Sequence, residues 1–194
     1  YGYFRAWRDD GTWARIHDAL YRRCRDLEGR EESPSAAIID SQSVKTGPDA
    51  REAVGFDAGK RIKGRKRHLL CDTLGLMMRV EVHSASMQDR DGAALVFDRI
   101  AARFPFVERF FADAGYQGPR VADAAPRTVE IVRRSDPGFV VQAKRWIVER
   151  TFAWITINRR LAKDFERFAA TVQTMIQISM IKLMSRRIAR YRTF

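Results

Sequence analysis

The chain has 194 residues, of which 36 are Lys or Arg and 24 are Asp or Glu, and its formal net charge at pH 7 is +12. A charge of this sign and size favours a polyanionic partner such as nucleic acid. Because 45% of the residues are hydrophobic and 11% are aromatic, the composition excludes a disordered basic tail and is sufficient for one folded domain with a buried core.

The cysteines, the histidines and the apolar segments exclude several other classes of protein. Cys24 and Cys71 are far apart, and the three histidines do not have the spacing of zinc ligands. We therefore expect neither a structural zinc site nor a disulfide framework. No uncharged apolar run approaches the roughly 20 residues that span a bilayer, and no secretory signal begins the chain. These features predict a protein of a reducing cytoplasm, with no membrane partner.

The N-terminal region predicts a helix followed by a buried strand. Apolar residues recur at spacings of three, four and seven over residues 3–29, which is typical of an amphipathic helix. A polar segment that contains Pro34 ends this helix. The apolar, β-branched run over residues 36–40 then predicts a short buried strand with Asp40 near its end.

The next segments predict a basic loop and a hairpin. Residues 46–60 have no periodicity and lead into the strongly basic run 60–68, which we expect to be a mobile loop. Two apolar stretches follow, at residues 69–72 and 76–82, and a short turn that contains Gly75 separates them. They predict an antiparallel β-hairpin.

The second half of the chain predicts helices that alternate with short strands. Acidic residues precede a helix over residues 93–100. The later elements are a strand at 107–112, a short helix at 121–124, a strand at 129–132, a long helix at 141–161 and a last amphipathic helix at 171–190. This order predicts an α/β fold of the α+β kind, in which a mixed five-stranded sheet is flanked by helices. We expect a helical appendage over residues 1–32 and a main domain, with the C-terminal helix, over residues 33–194.

Three acidic residues lie in apolar contexts where a carboxylate is costly unless it is paired or binds a metal. Asp40 and Asp113 each follow a predicted strand, and Glu149 lies inside a predicted helix. Carboxylate oxygens are the ligands that Mg²⁺ prefers. Three acids from separate elements therefore predict a site for two Mg²⁺ or Mn²⁺ ions about 4 Å apart, the arrangement used in phosphodiester chemistry.

Each of these acids also has a structural interpretation. Asp40 has the position of a turn former at a strand end, and Asp113 has that of a helix cap. Glu149 has Arg145 four residues before it, which is the spacing of an ordinary helical salt bridge. The remaining acids near predicted turns and helix starts are assigned to turn or cap roles: Asp72, Asp89 and Asp91.

Basic residues in two places predict the contacts to DNA phosphates, although a solvated basic loop has the same composition. The first place is the basic run, with Lys60, Arg61, Lys63, Arg65, Lys66 and Arg67. The second is the predicted helix around Glu149 and the residues that follow it, with Arg145, Arg150, Arg159 and Arg160.

Several ordered blocks of this sequence are similar to those of bacterial insertion-sequence transposases of the DDE type, in particular the insertion-sequence-five group. The blocks are residues 38–46, 68–75, 89–93, 111–118 and 145–164. The resemblance covers nearly the whole chain. It implies an RNase H-like fold, with Asp40 on the first strand, Asp113 after the fourth strand and Glu149 on the helix that follows the sheet.

The resemblance also implies an activity and its cofactors. A protein of this family cleaves DNA strands at the ends of an insertion sequence and transfers the 3′-hydroxyl into target DNA, with two Mg²⁺ or Mn²⁺ ions. We expect double-stranded DNA as substrate, a homodimer on that DNA and a location at the bacterial nucleoid. The family's arginine before the glutamate is matched by Arg145. Its tyrosine and its lysine are not matched, because those positions hold Gln142 and Thr156.

An alternative function follows from the start of the chain. The first residue is Tyr1 rather than a methionine, and no DNA-binding region precedes the resemblance. Family members are often made from two overlapping reading frames, so the chain resembles the downstream product. The alternative is a truncated, non-catalytic remnant that binds DNA or modulates the full-length transposase. A plain RNase H-type nuclease is a third, more distant interpretation.

Overall fold

A mixed β-sheet forms the centre of the computed structural model, which describes residues 2–132 and 144–191. Its strands are β1 (Ala36–Lys45), β2 (Gly55–Asp57), β3 (Ile62–Asp72), β4 (Met77–Ser84), β5 (Arg109–Ala112) and β6 (Thr128–Ile131). The strand order is β2-β3-β1-β5-β6, and β4 also pairs with β3. β1 is antiparallel to β3 and parallel to β5, and β5 is parallel to β6.

Helices flank this sheet, as the sequence predicted. They are α1 (Gly2–Asp9), α2 (Thr12–Leu27), α3 (Asp89–Phe97), α4 (Ile100–Arg103), α5 (Pro119–Ala124), α6 (Arg145–Thr156), α7 (Arg159–Ala162) and α8 (Ala169–Tyr191). α3 packs on β1, β3 and β4, whereas α6 packs on β1 and β3 and α8 packs on β4. The mixed α/β class is confirmed, and the architecture is compatible with an RNase H-like fold. None of the described helices has the length and apolar character needed to cross a membrane.

The apolar positions of β1 explain why it lies at the centre of the sheet. Ile38 and Ile39 are both buried, so the strand has a covered surface on each face. Ile38 pairs with Phe111 of β5 on one side and with Cys71 of β3 on the other. β1 reaches Lys45, beyond the predicted end, because β3 pairs with it as far as Gly64.

The prediction of a mobile basic loop over residues 60–68 is wrong. Most of this run belongs to β3, and Arg65, Lys66 and Arg67 are only 0%, 4% and 1% exposed. The sheet also has six strands instead of the predicted five, because the Gly55–Asp57 segment pairs with the start of β3. The sequence pattern gave no sign of either feature, since basic residues in succession are typical of solvated loops.

Partners on both faces of β3 make the burial of these cations possible. Arg65 Nη1 lies 3.1 Å from Asp164 Oδ2, and Arg67 donates to the Leu161 carbonyl oxygen at 2.7 Å. Lys66 Nζ donates to Asp89 Oδ1 at 2.8 Å. Successive side chains of a strand point to opposite faces. The segment that contains Leu161 and Asp164 therefore covers one face, and α3, which begins at Asp89, covers the other.

The N-terminal helical region differs in detail from its prediction. The expected helix over residues 3–29 is two helices, because Gly11 adopts a left-handed backbone conformation with φ of 76° between them. Tyr21 and Cys24 of α2 lie in the main hydrophobic core. The Tyr21 hydroxyl donates to Asp72 at 3.1 Å, so α2 is attached to the β3–β4 turn by a buried hydrogen bond. The division of the chain at residue 32 stays a prediction.

The remaining predicted elements agree closely with the structure. The hairpin of β3 and β4 is confirmed, and Asp72 accepts hydrogen bonds from the backbone N–H groups of Leu74 and Leu76 in its turn. The last helix extends from Ala169 to Tyr191. The long helix predicted over 141–161 is α6 followed by α7, and residues 141–143 lie outside the described part of the chain.

The buried Arg65–Asp164 pair leads to a stability prediction. We expect Arg65→Ala to lower the free energy of unfolding by about 3–5 kcal/mol, because Asp164 is left as a buried, unpaired charge. Lys63→Ala is the matched control, since Lys63 is exposed on the same strand. Its effect should stay within about 0.5 kcal/mol. Urea unfolding measures both, and equal small losses would show that the pair does not support the fold.

Candidate active site

Two of the predicted acids are placed side by side by the parallel pairing of β1 and β5. Ile38 is the partner of Phe111, so Asp40 and Asp113 each lie two residues beyond the last paired position of the two strands. Asp40 lies in the middle of β1, and Asp113 follows the carboxyl end of β5. Asp40 Oδ1 accepts from the Ser41 N–H at 2.7 Å. Asp113 caps the 3₁₀ turn Ala114–Tyr116 and accepts from the Gly115 N–H at 2.8 Å. Its predicted role as a cap is thus confirmed, and this role is compatible with one in the site.

The third acid reaches the same region through an arginine. Arg145 Nη2 lies 3.6 Å from Asp113 Oδ2 and 3.8 Å from Glu149 Oε1. The predicted i, i+4 salt bridge between Arg145 and Glu149 is therefore present, but the same guanidinium also approaches an acid from another element. Both separations are those of ion pairs and exceed hydrogen-bond distance. Glu149 itself is 61% exposed at its side chain.

The surroundings of Asp40 disfavour its ionised form. Burial, with a smaller contribution from the negative charge of Asp113, raises the pKa of Asp40 to about 6. The Ser41 N–H and the charges of Arg145 and Lys60 act in the opposite direction. A carboxylate with a raised pKa is one whose ionised form is incompletely compensated. A bound cation would supply the missing charge.

Asp89 is a fourth acid beside the site, and its role was only partly foreseen. It lies in the first turn of α3, as predicted for a residue at a helix start. Its Oδ1 also accepts from Ser41 Oγ at 2.7 Å and from Lys66 Nζ at 2.8 Å. A Cβ atom built on Gly115 would lie 3.0 Å from Asp113 Oδ1 and 3.6 Å from Asp89 Oδ2, so these two carboxylates border the same glycine.

A chain of buried hydrogen bonds lies behind the acids. The Tyr116 hydroxyl lies 2.7 Å from His68 Nε2, and His68 Nδ1 lies 3.1 Å from His83 Nε2. His83 Nδ1 lies 3.0 Å from the Ser84 carbonyl oxygen, which can only accept. If both imidazole rings are neutral, each proton in this chain of hydrogen bonds has one possible position. His83 donates to the Ser84 carbonyl oxygen, His68 donates to His83, and Tyr116 donates to His68.

The surroundings of these rings favour the neutral forms. Burial lowers the pKa of His68 to about 3 and, together with the positive charge of Lys66, also lowers that of His83, although the Ser84 carbonyl opposes the second shift. Burial and the negative charges of Asp40, Asp89 and Asp113 raise the pKa of Tyr116. This chain of hydrogen bonds therefore holds Tyr116, the last residue of the turn that Asp113 caps, in one orientation.

Comparison with known proteins identifies the family to which this chain belongs. The family described as "Transposase DDE domain" matches residues 31–184. The chain belongs to this family. It is also 30% identical over 146 residues to the putative transposase for insertion sequence element IS402 from Burkholderia cepacia, a match that covers 68% of this chain and 66% of that protein. No solved structure matches.

The acids of this transposase domain fit a hard divalent cation by their chemistry. All three are carboxylates, the ligands that such a cation prefers, and the pKa of Asp40 is raised chiefly by burial, so that a nearby positive charge would favour its ionised form. As the side chains stand, no three acidic, His or Cys groups among residues 2–132 and 144–191 are arranged around a metal position. Arg145 lies between Asp113 and Glu149 instead. Glu149 can change rotamer without repacking the core, because it is largely exposed.

The predicted DNA-contacting residues divide into two groups. Arg65, Lys66 and Arg67 are inside the fold, so the prediction that they contact DNA phosphates is wrong for this fold. Several of the others are exposed, namely Lys60, Arg61, Lys63, Arg159 and Arg160. Lys60 Nζ donates to the Ser41 carbonyl oxygen at 3.3 Å, next to Asp40. Gln142 lies outside the described residues.

The raised pKa of Asp40 predicts a pH-dependent effect on stability in metal-free buffer. The folded-state pKa is about 6 against an ordinary value of 3.8, so the folded chain holds this proton more tightly than the unfolded chain does. The contribution of this proton to the free energy of unfolding is fully present below about pH 4 and is lost as the pH rises through about 6. We expect Asp40→Asn to be more stable than the parent at about pH 8, by on the order of 2 kcal/mol, and the difference to vanish near pH 4.

Thermal or urea unfolding with a chelator present measures this difference. Asp98→Asn is the control, because Asp98 is an exposed acid outside the site. An Asp40→Asn variant whose gain is the same at both pH values would contradict the assignment of the effect to the Asp40 proton.

Proposed function

We propose that this chain is the catalytic domain of an insertion-sequence transposase, with Asp40, Asp113 and Glu149 as its catalytic and metal-binding residues. The observation that supports the proposal is the placement of Asp40 and Asp113 beside each other by the parallel pairing of β1 and β5. Arg145 lies within ion-pair distance of both Asp113 and Glu149 of α6. Membership of the DDE family supports the same assignment.

The proposed reaction is metal-dependent cleavage of DNA at the ends of the element, followed by transfer of the freed 3′-hydroxyl to target DNA. Two Mg²⁺ or Mn²⁺ ions, when bound, activate the attacking oxygen and stabilise the leaving oxygen. Asp40, Asp113 and Glu149 supply the oxygen ligands. The Ser41 N–H and the Gly115 N–H fix the two aspartates through hydrogen bonds of 2.7 and 2.8 Å, so these ligands are oriented before any ion arrives.

Arg145 has a second role in this proposal. It compensates Asp113 and Glu149 while no cation is bound, because its guanidinium is within ion-pair distance of both. A bound cation would supply that compensation, and the Arg145 guanidinium would then contact a DNA phosphate at the reacting strand. Lys60, which donates to the carbonyl oxygen of the residue after Asp40, would contact the same phosphate backbone.

The partners in this proposal are double-stranded DNA and a second copy of the chain, as a homodimer on DNA at the nucleoid. The chain spans 66% of the length of its IS402 relative. The alternative function is that of a non-catalytic remnant that binds DNA or modulates the full-length transposase.

Strand cleavage and strand transfer test the catalytic assignment. An intact duplex that carries the element's ends is the substrate for cleavage, and a pre-nicked one is the substrate for strand transfer. Each is incubated with the parent or with Asp40→Asn, in Mg²⁺ or in Mn²⁺. Because loss of residues that merely support a metal ligand costs 10–100-fold, loss of a ligand should reduce cleavage by more than about 100-fold. DNA affinity should be retained, since the substitution removes no positive charge. Glu130→Gln, a change of an exposed acid on β6, is the control.

Each result has a distinct meaning. Cleavage by the parent, with loss in Asp40→Asn and not in Glu130→Gln, supports the catalytic proposal. Equal cleavage by all three proteins would refute the role of Asp40. DNA binding by the parent without cleavage in either metal would favour the remnant.

A further inference from the structure

A cationic cleft lies between α6 and α8, away from the four acids. Its volume is about 330 Å³. Trp154 of α6 and Asn158, which precedes α7, form one wall, and α8 contributes four cations to the other: Lys182, Arg186, Arg187 and Arg190. Among the described residues, none of those that line the cleft is acidic. We call this set of six residues the α6–α8 cleft.

Two guanidiniums at the base of the cleft are held close together. Arg150 and Arg187 lie 4.7 and 4.9 Å from the Trp154 ring centroid. Both also point at one carbonyl oxygen, that of Leu74, from 3.4 and 3.5 Å. Like charges at such positions repel each other. Burial and the charge of Arg187 lower the pKa of Arg150, and the buried Arg150 Nε has no hydrogen-bond partner in the described structure.

The outer part of the cleft continues this uncompensated charge. Lys182, Arg186 and Arg190 are four residues apart on α8, so they form one line along the helix at intervals of about 6 Å. All three are exposed. None of them forms an ion pair with an acid in the part of the chain that the structure describes. An anionic ligand with several charges along a line would compensate the whole row.

We propose that the α6–α8 cleft binds the phosphate backbone of double-stranded DNA next to the site of cleavage. This inference rests on the proposed function, because it assigns the cleft to the same substrate. Glu149 and Trp154 are five residues apart on α6, a rise of about 7.5 Å along the helix axis. Five residues also correspond to a rotation of about 140°, so Trp154 lies on a different face of α6 from Glu149.

Double-stranded DNA suits the cleft better than a small anion does. The row from Lys182 to Arg190 is about 12 Å long, which exceeds the size of a single phosphate. Arg187, which lies over the Trp154 ring, adds a fourth cation to the cleft lining, and Asn158 is half-buried there. Backbone contacts of this type carry no sequence information and position the duplex.

The salt dependence of DNA affinity tests the assignment. The variant replaces Lys182, Arg186 and Arg190 together with alanine, and the probe is a short duplex DNA of arbitrary sequence. Each phosphate contact contributes about 0.9 to the slope of log affinity against log salt, so the slope should fall by up to about 2.7. The three side chains are exposed, and circular dichroism confirms that the variant is folded.

A matched triple variant controls for the loss of net charge. It replaces Arg99, Arg109 and Arg127 with alanine. These three arginines are exposed, so the substitutions remove the same number of positive charges as the cleft variant does. Arg109 and Arg127 lie at the amino ends of β5 and β6, whereas Asp113 follows the carboxyl end of β5. The control should keep the parent's slope. An unchanged slope in the cleft variant, or an equal fall in both variants, would overturn the proposal.

Two combinations of the cleavage and salt-slope results distinguish failure of this inference from failure of the proposed function. A competition experiment tests the class of ligand. If the parent cleaves DNA and the cleft variant keeps the full salt slope, the cleft proposal fails while the catalytic proposal stands. If the parent does not cleave but the cleft variant loses slope, the catalytic proposal fails while the cleft proposal stands. Competition by polyglutamate as strong as that by DNA would assign the cleft to an acidic protein and overturn the DNA assignment.

Discussion

The fold depends on polar partners for four consecutive ionisable side chains that are buried in β3. Arg65, Lys66, Arg67 and His68 are all buried, and an isolated buried charge is far more costly than the net stability of a domain of this size permits. Each cation therefore needs a partner from another element. Arg65 finds Asp164, which is 99 residues away in sequence, and Lys66 finds Asp89. The position of β3 thus fixes where the helices on both faces begin or end.

The same constraint connects the core to the acids of the site. On one face of β3, Lys66 holds Asp89, and Asp89 accepts from Ser41, the residue after Asp40. On that same face, His68 accepts from Tyr116, at the end of the turn that Asp113 begins. Gly92 is required where α3 crosses this face, since a Cβ there would lie 2.4 Å from His68 Nδ1. The two aspartates are consequently placed by backbone pairing and supported by side chains of β3.

Sequence patterns predicted the parts of this structure that depend on local or periodic signals. The strand that contains Asp40 begins with a continuous apolar, β-branched run, the β3–β4 hairpin has two apolar stretches around a short turn, and the last helix has a clear apolar period. All three elements are present. β3 had no such signal at Arg65 to Arg67, because its partners are distant in sequence and a charge run is usually solvated. Asp89 was foreseen as a helix-start residue, but its bond to Lys66 exists only once β3 is buried. The link from Asp113 to Arg145 likewise requires the folded sheet.

The burial of β3 changes what the net charge of +12 means for DNA binding. Part of the positive charge is neutralised inside the protein, where it serves stability and not recognition. Charge available to a polyanion lies on exposed side chains without acidic partners, and the row along α8 is such a set. Arg150 joins this row to α6, because it lies over both Trp146 and Trp154 at 4.5 and 4.7 Å from their ring centroids. One helix thus carries a catalytic glutamate candidate on one side and the wall of a cationic cleft on another, so a single duplex can engage both.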